Sequence, residues 1–132
     1  MYIQRTIEKS IERANKFFPV VLVTGPRQVG KTTVLQNCET QPRTYVSLDT
    51  LENRELAKND PTLFLQRYPA PVLIDEIQYA PELFPYIKAS VDKEKKNGMY
   101  WLTGSQQFHL MKNVSESLAG RVGILQLEGL SQ

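Results

Sequence analysis

The chain has 132 residues, with 16 Lys and Arg against 14 Asp and Glu, a formal net charge of +2. That surplus is too small to argue for nucleic acid binding by charge alone, and a single cysteine and a single histidine exclude an intramolecular disulfide and the usual zinc sites. No apolar run approaches the roughly 18 residues of a membrane-spanning helix, and the N-terminal residues MYIQR do not resemble a signal peptide, so a cytoplasmic protein is expected.

Helical and strand patterns alternate along the chain. Apolar residues at helical spacing predict a first helix that ends at Pro19, and apolar or β-branched runs predict five strands. The strands are expected at residues 20–24, 44–48, 71–74, 99–102 and 122–127. The later helices are expected at 30–37, 49–57, 60–65, from Pro81 or Pro85 to 97–98, and at 106–119.

Two short patterns predict where helices begin. Asp49 and Glu52 have capping-box spacing, and Asp60 before Pro61 is typical of an N-cap followed by a first-turn proline. Because most strands are apolar throughout and are separated by helices, we expect an α/β fold with a five-stranded, mostly parallel sheet sandwiched between helices. No linker divides the chain, so residues 1–132 are expected to form a single domain.

The strongest motif follows the first strand. The octet GPRQVGKT at residues 25–32 satisfies G-x-x-x-x-G-K-[ST], the pattern of a loop whose backbone N–H groups bind phosphates. In such a loop Lys31 reaches the β and γ phosphates, and the Thr32 hydroxyl ligates Mg²⁺. The sequence therefore predicts a nucleoside-triphosphate site. The nucleotide-binding residues are expected to be Gly25, Pro26, Arg27, Gln28, Val29, Gly30, Lys31, Thr32 and Thr33.

A second motif places two acids after the third strand. Asp75 would face the metal held by Thr32, because ligands gather at the carboxyl ends of parallel strands, and Glu76 could orient or deprotonate the attacking water. The alternative is that both acids merely begin a solvated loop. The combination with the phosphate loop favours Mg²⁺ binding by Thr32 and Asp75, with Glu76 catalytic.

Two further positions could act on the γ-phosphate. Ser105, or secondarily Thr103, could hydrogen-bond the phosphate or the lytic water; alternatively Gly104 and Ser105 form a turn in which Ser105 caps the next helix. Gly120 reads as the residue after a helix C-terminus. Arg121 beside it could stabilise that helix end or act as an arginine finger on the nucleotide of a neighbouring subunit.

Taken together, these motifs resemble the ATPase core of the prokaryotic AAA-like ATPases that usually carry a C-terminal domain of unknown function. The resemblance rests on GPRQVGKTT at 25–33, SLD at 47–49, LIDEIQ at 73–78, LTGS at 102–105 and LAGR at 118–121. It implies an AAA-type P-loop core that binds ATP and Mg²⁺, with Walker B acids at Asp75 and Glu76, a sensor near Ser105, and a finger at Arg121. Family members continue into a lid, whereas this chain ends just after the fifth strand, so an AAA-type core without its lid is expected.

Three functions remain open at this point. The first is an ATPase that is completed by a second copy through Arg121. The second is a nucleotide-gated interaction module with little turnover of its own, whose protein partner would contact loops near Gln78 and Arg121. The third is a P-loop small-molecule kinase, which the adjacent acids disfavour because they point to water as the acceptor.

Overall fold

A five-stranded sheet organises the chain. The computed structural model describes residues 2–26, 30–105 and 107–127. The strands are β1 (Val20–Thr24), β2 (Thr44–Ser47), β3 (Val72–Asp75), β4 (Tyr100–Gly104) and β5 (Val122–Gln126). They lie in the order β2-β3-β4-β1-β5, and every pairing is parallel. The expected α/β architecture is confirmed, and the sheet is fully rather than mostly parallel.

Among the described residues, six helices connect and cover these strands. They are α1 (Tyr2–Phe17), α2 (Lys31–Asn37), α3 (Leu51–Asn59), α4 (Pro61–Arg67), α5 (Phe84–Glu94) and α6 (Phe108–Leu118). Two 3₁₀ turns, Ile77–Tyr79 and Pro81–Leu83, join β3 to α5. No helix among the described residues combines the length and the hydropathy that a membrane span requires.

Both faces of the sheet are buried, which explains why its central strands are continuously apolar. Side chains alternate between the faces, so Val21 and Val23 pack in one core with Leu73, Trp101 and residues of α1 and α2. Their neighbours along the strands, such as Leu22 and Ile74, pack in a second core with α3 to α6. A sheet buried on both sides needs apolar residues at every strand position rather than at alternate ones.

Several helix ends differ from the expectation, and three of the differences concern the caps. The predicted capping box at Asp49 is wrong, because α3 begins at Leu51 after Thr50, and the Asp49 N–H instead donates to the Ser47 hydroxyl oxygen at 3.1 Å. Helix α5 ends at Glu94, since Lys95 takes a left-handed conformation at φ 57°. Helix α6 begins at Phe108 with Gln107 as its N-cap, so Ser105 does not cap it.

Other local expectations hold. The Asp60 carboxylate accepts the Leu63 N–H at 3.1 Å, which is the N-cap contact expected at the start of α4. Gly120 has φ 79°, a left-handed conformation suited to the residue that follows a helix end.

The strand registers bring the functional motifs to one edge. Thr24 lies opposite Gly104 and Gln126, and Ser47 lies opposite Asp75. The segments that leave the ends of β1, β3 and β4 therefore meet at the carboxyl edge of the sheet, where α/β proteins bind their ligands.

Candidate functional site

The loop after β1 starts in a closely packed position. The Gly25 N–H donates to the Gly104 carbonyl at 3.3 Å, and the Leu127 N–H donates to the Thr24 carbonyl at 2.7 Å. A Cβ at Gly25 would lie only 2.3 Å from the carbonyl oxygen of Leu127, the residue after β5, so the backbone there leaves no room for a side chain. Gly25 is therefore required by tertiary packing as well as by the motif.

The loop ends at the start of α2. Gly30 is the N-cap of this helix, with φ 72° in the left-handed region that favours glycine. Pro26 is exposed. The expected binding residues Arg27, Gln28 and Val29 lie outside the described residues.

Lys31 is the buried cation of the site. Its side chain is only 3% exposed, and its Nζ donates to the Gly25 carbonyl at 2.9 Å and to the Pro26 carbonyl at 3.0 Å. The ammonium group is thus folded against the start of the phosphate loop, where an anionic ligand could replace the two carbonyls.

Thr33, also an expected binding residue, is exposed one position after Thr32.

Asp75 is held by hydroxyl groups from three elements. Thr32 Oγ1 of α2 donates to Asp75 Oδ1 at 2.8 Å, and the Thr103 hydroxyl of β4 donates to the same oxygen. The Tyr45 hydroxyl of β2 donates to Asp75 Oδ2 at 3.0 Å. The carboxylate is therefore oriented from both oxygens, and the expected pair Thr32 and Asp75 lies in direct contact.

Tyr45 was not identified from the sequence. It lies opposite Leu73 in the β2–β3 register, so it shares a sheet face with Asp75 two residues further along β3. Desolvation of the hydroxyl, followed by the charge of Asp75, raises the pKa of Tyr45 to about 12, so the group stays a proton donor. Tyr45 could have been identified if the pairing of β2 with β3 were known, but the strand order is a property of the tertiary structure.

Glu76 leaves β3 through an unusual backbone conformation. Its φ of 62° and ψ of 53° are left-handed, which costs a non-glycine residue about 1–2 kcal/mol. The Glu76 N–H donates to Thr103 Oγ1 at 3.0 Å, which compensates part of this cost. The side chain is only 6% exposed, and its Oε1 accepts from Gln78 Nε2 at 2.8 Å.

Thr103 and Ser105 have different surroundings. The Thr103 hydroxyl is fully buried; it donates to the Asp75 carboxylate and accepts the Glu76 N–H. Ser105 Oγ is buried and has no hydrogen-bond partner among residues 2–26, 30–105 and 107–127. Of these two candidate sensors, Ser105 is the one whose hydroxyl has unused hydrogen-bonding capacity toward a ligand.

Arg121 lies at the opposite edge of the sheet. It directly precedes β5, and its carbonyl accepts the N–H of Val20, the first residue of β1. Five strand residues, about 16 Å, separate this edge from the phosphate loop. The guanidinium binds both oxygens of Asp92 on α5, at 2.7 and 3.0 Å, and donates to the Ala119 carbonyl at 3.0 Å. Hydrogen bonding within this pair raises the pKa of Arg121 and lowers that of Asp92.

The donor set suits Mg²⁺ with a bound nucleotide better than a metal held by protein alone. Among the described residues there is no group of three or more His, Cys, Asp or Glu that could hold a metal ion. Asp75 and Thr32 instead offer adjacent oxygen atoms next to the phosphate loop. Mg²⁺ is commonly held in this way, by one or two protein oxygen ligands together with phosphates and water.

Comparison with known proteins agrees with this geometry. A family model described as an AAA domain matches residues 17–132. The uncharacterized protein Rv2008c of Mycobacterium tuberculosis and the uncharacterized protein Mb2031c of Mycobacterium bovis are each 37% identical to the chain over 130 residues. The match covers 97% of this chain and 29% of each relative, so the chain spans less than a third of their length.

The family match spans all five strands, the phosphate loop and the acids after β3. The parallel sheet with flanking helices is the fold of a nucleotide-binding P-loop protein. The chain belongs to the AAA domain family.

Proposed function

We propose that the chain is an ATPase core that binds Mg-ATP at the carboxyl edge of the sheet and hydrolyses it with water. One observation carries the proposal: Thr32 of the phosphate-loop helix donates a 2.8 Å hydrogen bond to Asp75 at the end of β3. This contact joins the phosphate-binding motif to the acidic motif, and Lys31 and Glu76 adjoin it in the chain. A phosphate loop without such a carboxylate could bind an anion but would lack the usual protein partner of Mg²⁺.

Binding would use groups that now contact one another. Lys31 would exchange the carbonyls of Gly25 and Pro26 for phosphate oxygens, which are stronger partners for an ammonium group. Thr32 and Asp75 would hold Mg²⁺, which when bound neutralises charge on the β and γ phosphates. Tyr45 and Thr103 would keep the Asp75 carboxylate in place, because each donates to one of its oxygens.

Glu76 is the candidate for activating water. Its carboxylate is buried beside the metal-binding Asp75, and as an acceptor it could orient a water molecule and take its proton as the bond to the γ-phosphate forms. Ser105 would donate its unused hydroxyl to that water or to the γ-phosphate. The adjacent acids favour water over a substrate hydroxyl as the acceptor, and so favour an ATPase over a kinase.

Arg121 would act on the nucleotide of a second copy. Its position about 16 Å from its own phosphate loop excludes it from the site on the same subunit. A guanidinium supplied from a neighbour can raise turnover by about 10³-fold or more. To act in this way Arg121 would have to leave Asp92 or shift together with α5.

Phosphate release from Mg-ATP tests this proposal. Specific activity should rise with protein concentration and vanish in Glu76→Gln, and an equal mixture of Glu76→Gln and Arg121→Ala should recover activity that neither variant has alone. Activity in Glu76→Gln equal to that of the unmodified protein would overturn the assignment of Glu76. Nucleotide binding without release would instead indicate an interaction module.

Binding can be measured separately. Mg-ATP should raise the Tm of the protein, and Lys31→Ala should abolish this rise, whereas the control Lys58→Ala at an exposed position on α3 should retain it. A thermal shift that survives in Lys31→Ala would contradict the assignment of the phosphate loop.

A further inference from the structure

Gln78 connects two parts of the site that are far apart in the sequence. Its Nε2 donates to Glu76 Oε1 at 2.8 Å, and its Oε1 accepts the Ser105 N–H at 3.2 Å. The Glu76 carboxylate can only accept and the Ser105 N–H can only donate, so chemistry dictates which end of the amide faces each group. One side chain thus bridges the water-activating candidate and the end of β4.

The backbone is shaped to place Gln78 there. The left-handed turn at Glu76 and the following 3₁₀ turn, Ile77–Tyr79, direct the Gln78 side chain back toward β4. Ile77 is fully buried and anchors this turn in the core. At Gly104 a Cβ would lie 3.1 Å from Gln78 Oε1 and 2.8 Å from Leu110 Cδ2, so the missing side chain leaves space for the amide.

We propose that Gln78 is a positioning residue that sets the place of the Glu76 carboxylate according to the position of the Ser105 segment. This inference rests on the proposed function, because it concerns the regulation of the same site. When the Ser105 backbone shifts toward a bound γ-phosphate, Gln78 Oε1 follows its N–H partner, and Nε2 carries the Glu76 carboxylate with it. Occupancy of the nucleotide site is thereby communicated to the group that activates water.

Substitutions can separate the two hydrogen bonds. Gln78→Glu keeps an acceptor for the Ser105 N–H but loses the donor to Glu76 and places a like charge beside it. Gln78→Leu removes both hydrogen bonds while the side chain keeps a similar volume. Gln66→Glu, at an exposed position on α4, makes the same chemical change away from the site.

Steady-state phosphate release provides the first readout. A misplaced catalytic group lowers the rate of the chemical step. We therefore expect kcat to fall about tenfold or more in Gln78→Glu and Gln78→Leu, while KM for Mg-ATP stays within about twofold of the value for the unmodified protein. Gln66→Glu should keep both constants. A kcat in Gln78→Leu equal to that of the unmodified protein would overturn the inference, as would an effect confined to KM.

The second readout needs no turnover, so it separates this inference from the proposed function. The Ser105 amide resonance is recorded by ¹H–¹⁵N NMR in the presence of Mg-ADP. Glu76→Gln should displace it when Gln78 is present, and by at least threefold less in the Gln78→Leu background. Equal displacement in both backgrounds overturns the inference. A wild-type protein that releases no phosphate but shows this dependence overturns only the hydrolytic role.

Discussion

Replacing Thr103 with valine removes a hydroxyl from a fully buried position while keeping the shape of the side chain. This hydroxyl accepts the Glu76 N–H at 3.0 Å and donates to the Asp75 carboxylate. The substitution therefore leaves a donor unpaired in a left-handed turn and removes one of the groups that orient Asp75.

The expected loss can be estimated from these two contacts. An unpaired buried N–H costs about 1–3 kcal/mol, and a hydrogen bond to a charged group contributes about 1.5–3 kcal/mol. Asp75 keeps Thr32 and Tyr45 as donors, so the second contribution should lie at the low end of its range. We expect Thr103→Val to lower the free energy of unfolding by about 2–4 kcal/mol, which at this chain length lowers Tm by roughly 6–12 °C.

Urea denaturation and calorimetry of three variants would test this reasoning. Thr103→Ser keeps the hydroxyl and loses one methyl group, so it should cost only about 1 kcal/mol. Thr62→Val, at an exposed position on α4, should change stability by less than about 0.5 kcal/mol. If Thr103→Val is as stable as Thr103→Ser, then the two hydrogen bonds contribute no more to stability than one methyl group does, and the argument fails.

Three further predictions concern other parts of the chain. Burial, followed by two nearby carboxylates, raises the pKa of Cys38 from 9.0 to about 11, so iodoacetamide should modify it about a hundredfold more slowly at pH 8 than in the urea-unfolded chain. Gly25→Ala should destabilise the fold by about 1–3 kcal/mol in urea denaturation, because its Cβ would clash with the Leu127 carbonyl. Asp92→Ala should preserve phosphate release, whereas Arg121→Ala should lower it by about 10³-fold, since only the second change removes the guanidinium.

Each of these three has a clear contrary result. The raised thiol pKa stabilises the fold below pH 9.0, and this contribution is lost as the pH rises through about 11, so Cys38→Ala should flatten that part of the stability profile. Rapid alkylation at pH 8 would contradict the burial argument. An unchanged urea midpoint in Gly25→Ala would show that the backbone at Leu127 can move away. Equal loss of release in Asp92→Ala and Arg121→Ala would mean that the ion pair, and not the free guanidinium, is what matters.

Much of the architecture could be predicted from the sequence, because it depends on residues that are close together in the chain. Strand β1 occupies Val20–Thr24 as expected, because a buried strand must be apolar along its length and the glycine of the phosphate loop follows it directly. The strands, the helix after the loop and the N-cap at Asp60 each depend on residues close together in the chain. Their positions could therefore be predicted within a few residues.

Tertiary structure decided how these elements meet. The strand order β2-β3-β4-β1-β5 places Tyr45 and Thr103 on either side of Asp75, although 30 and 28 residues separate them from it in the chain. No local pattern encodes such contacts, because they depend on the register of neighbouring strands. The same reason applies to the bridge through Gln78, which joins the end of β3 to the end of β4.

There is a physical reason why some features are determined by the sequence alone and others only by the tertiary structure. Backbone conformation and the burial pattern are set mainly by each residue and its neighbours within a turn or strand, so the sequence alone determined the phosphate loop, the Asp75–Glu76 pair and the class of fold. Hydrogen bonds between side chains need atoms within about 3 Å, and only the packed sheet brings them that close. Tertiary structure therefore decided which hydroxyls hold Asp75, what holds Glu76, and that Arg121 faces Asp92 instead of its own phosphate loop.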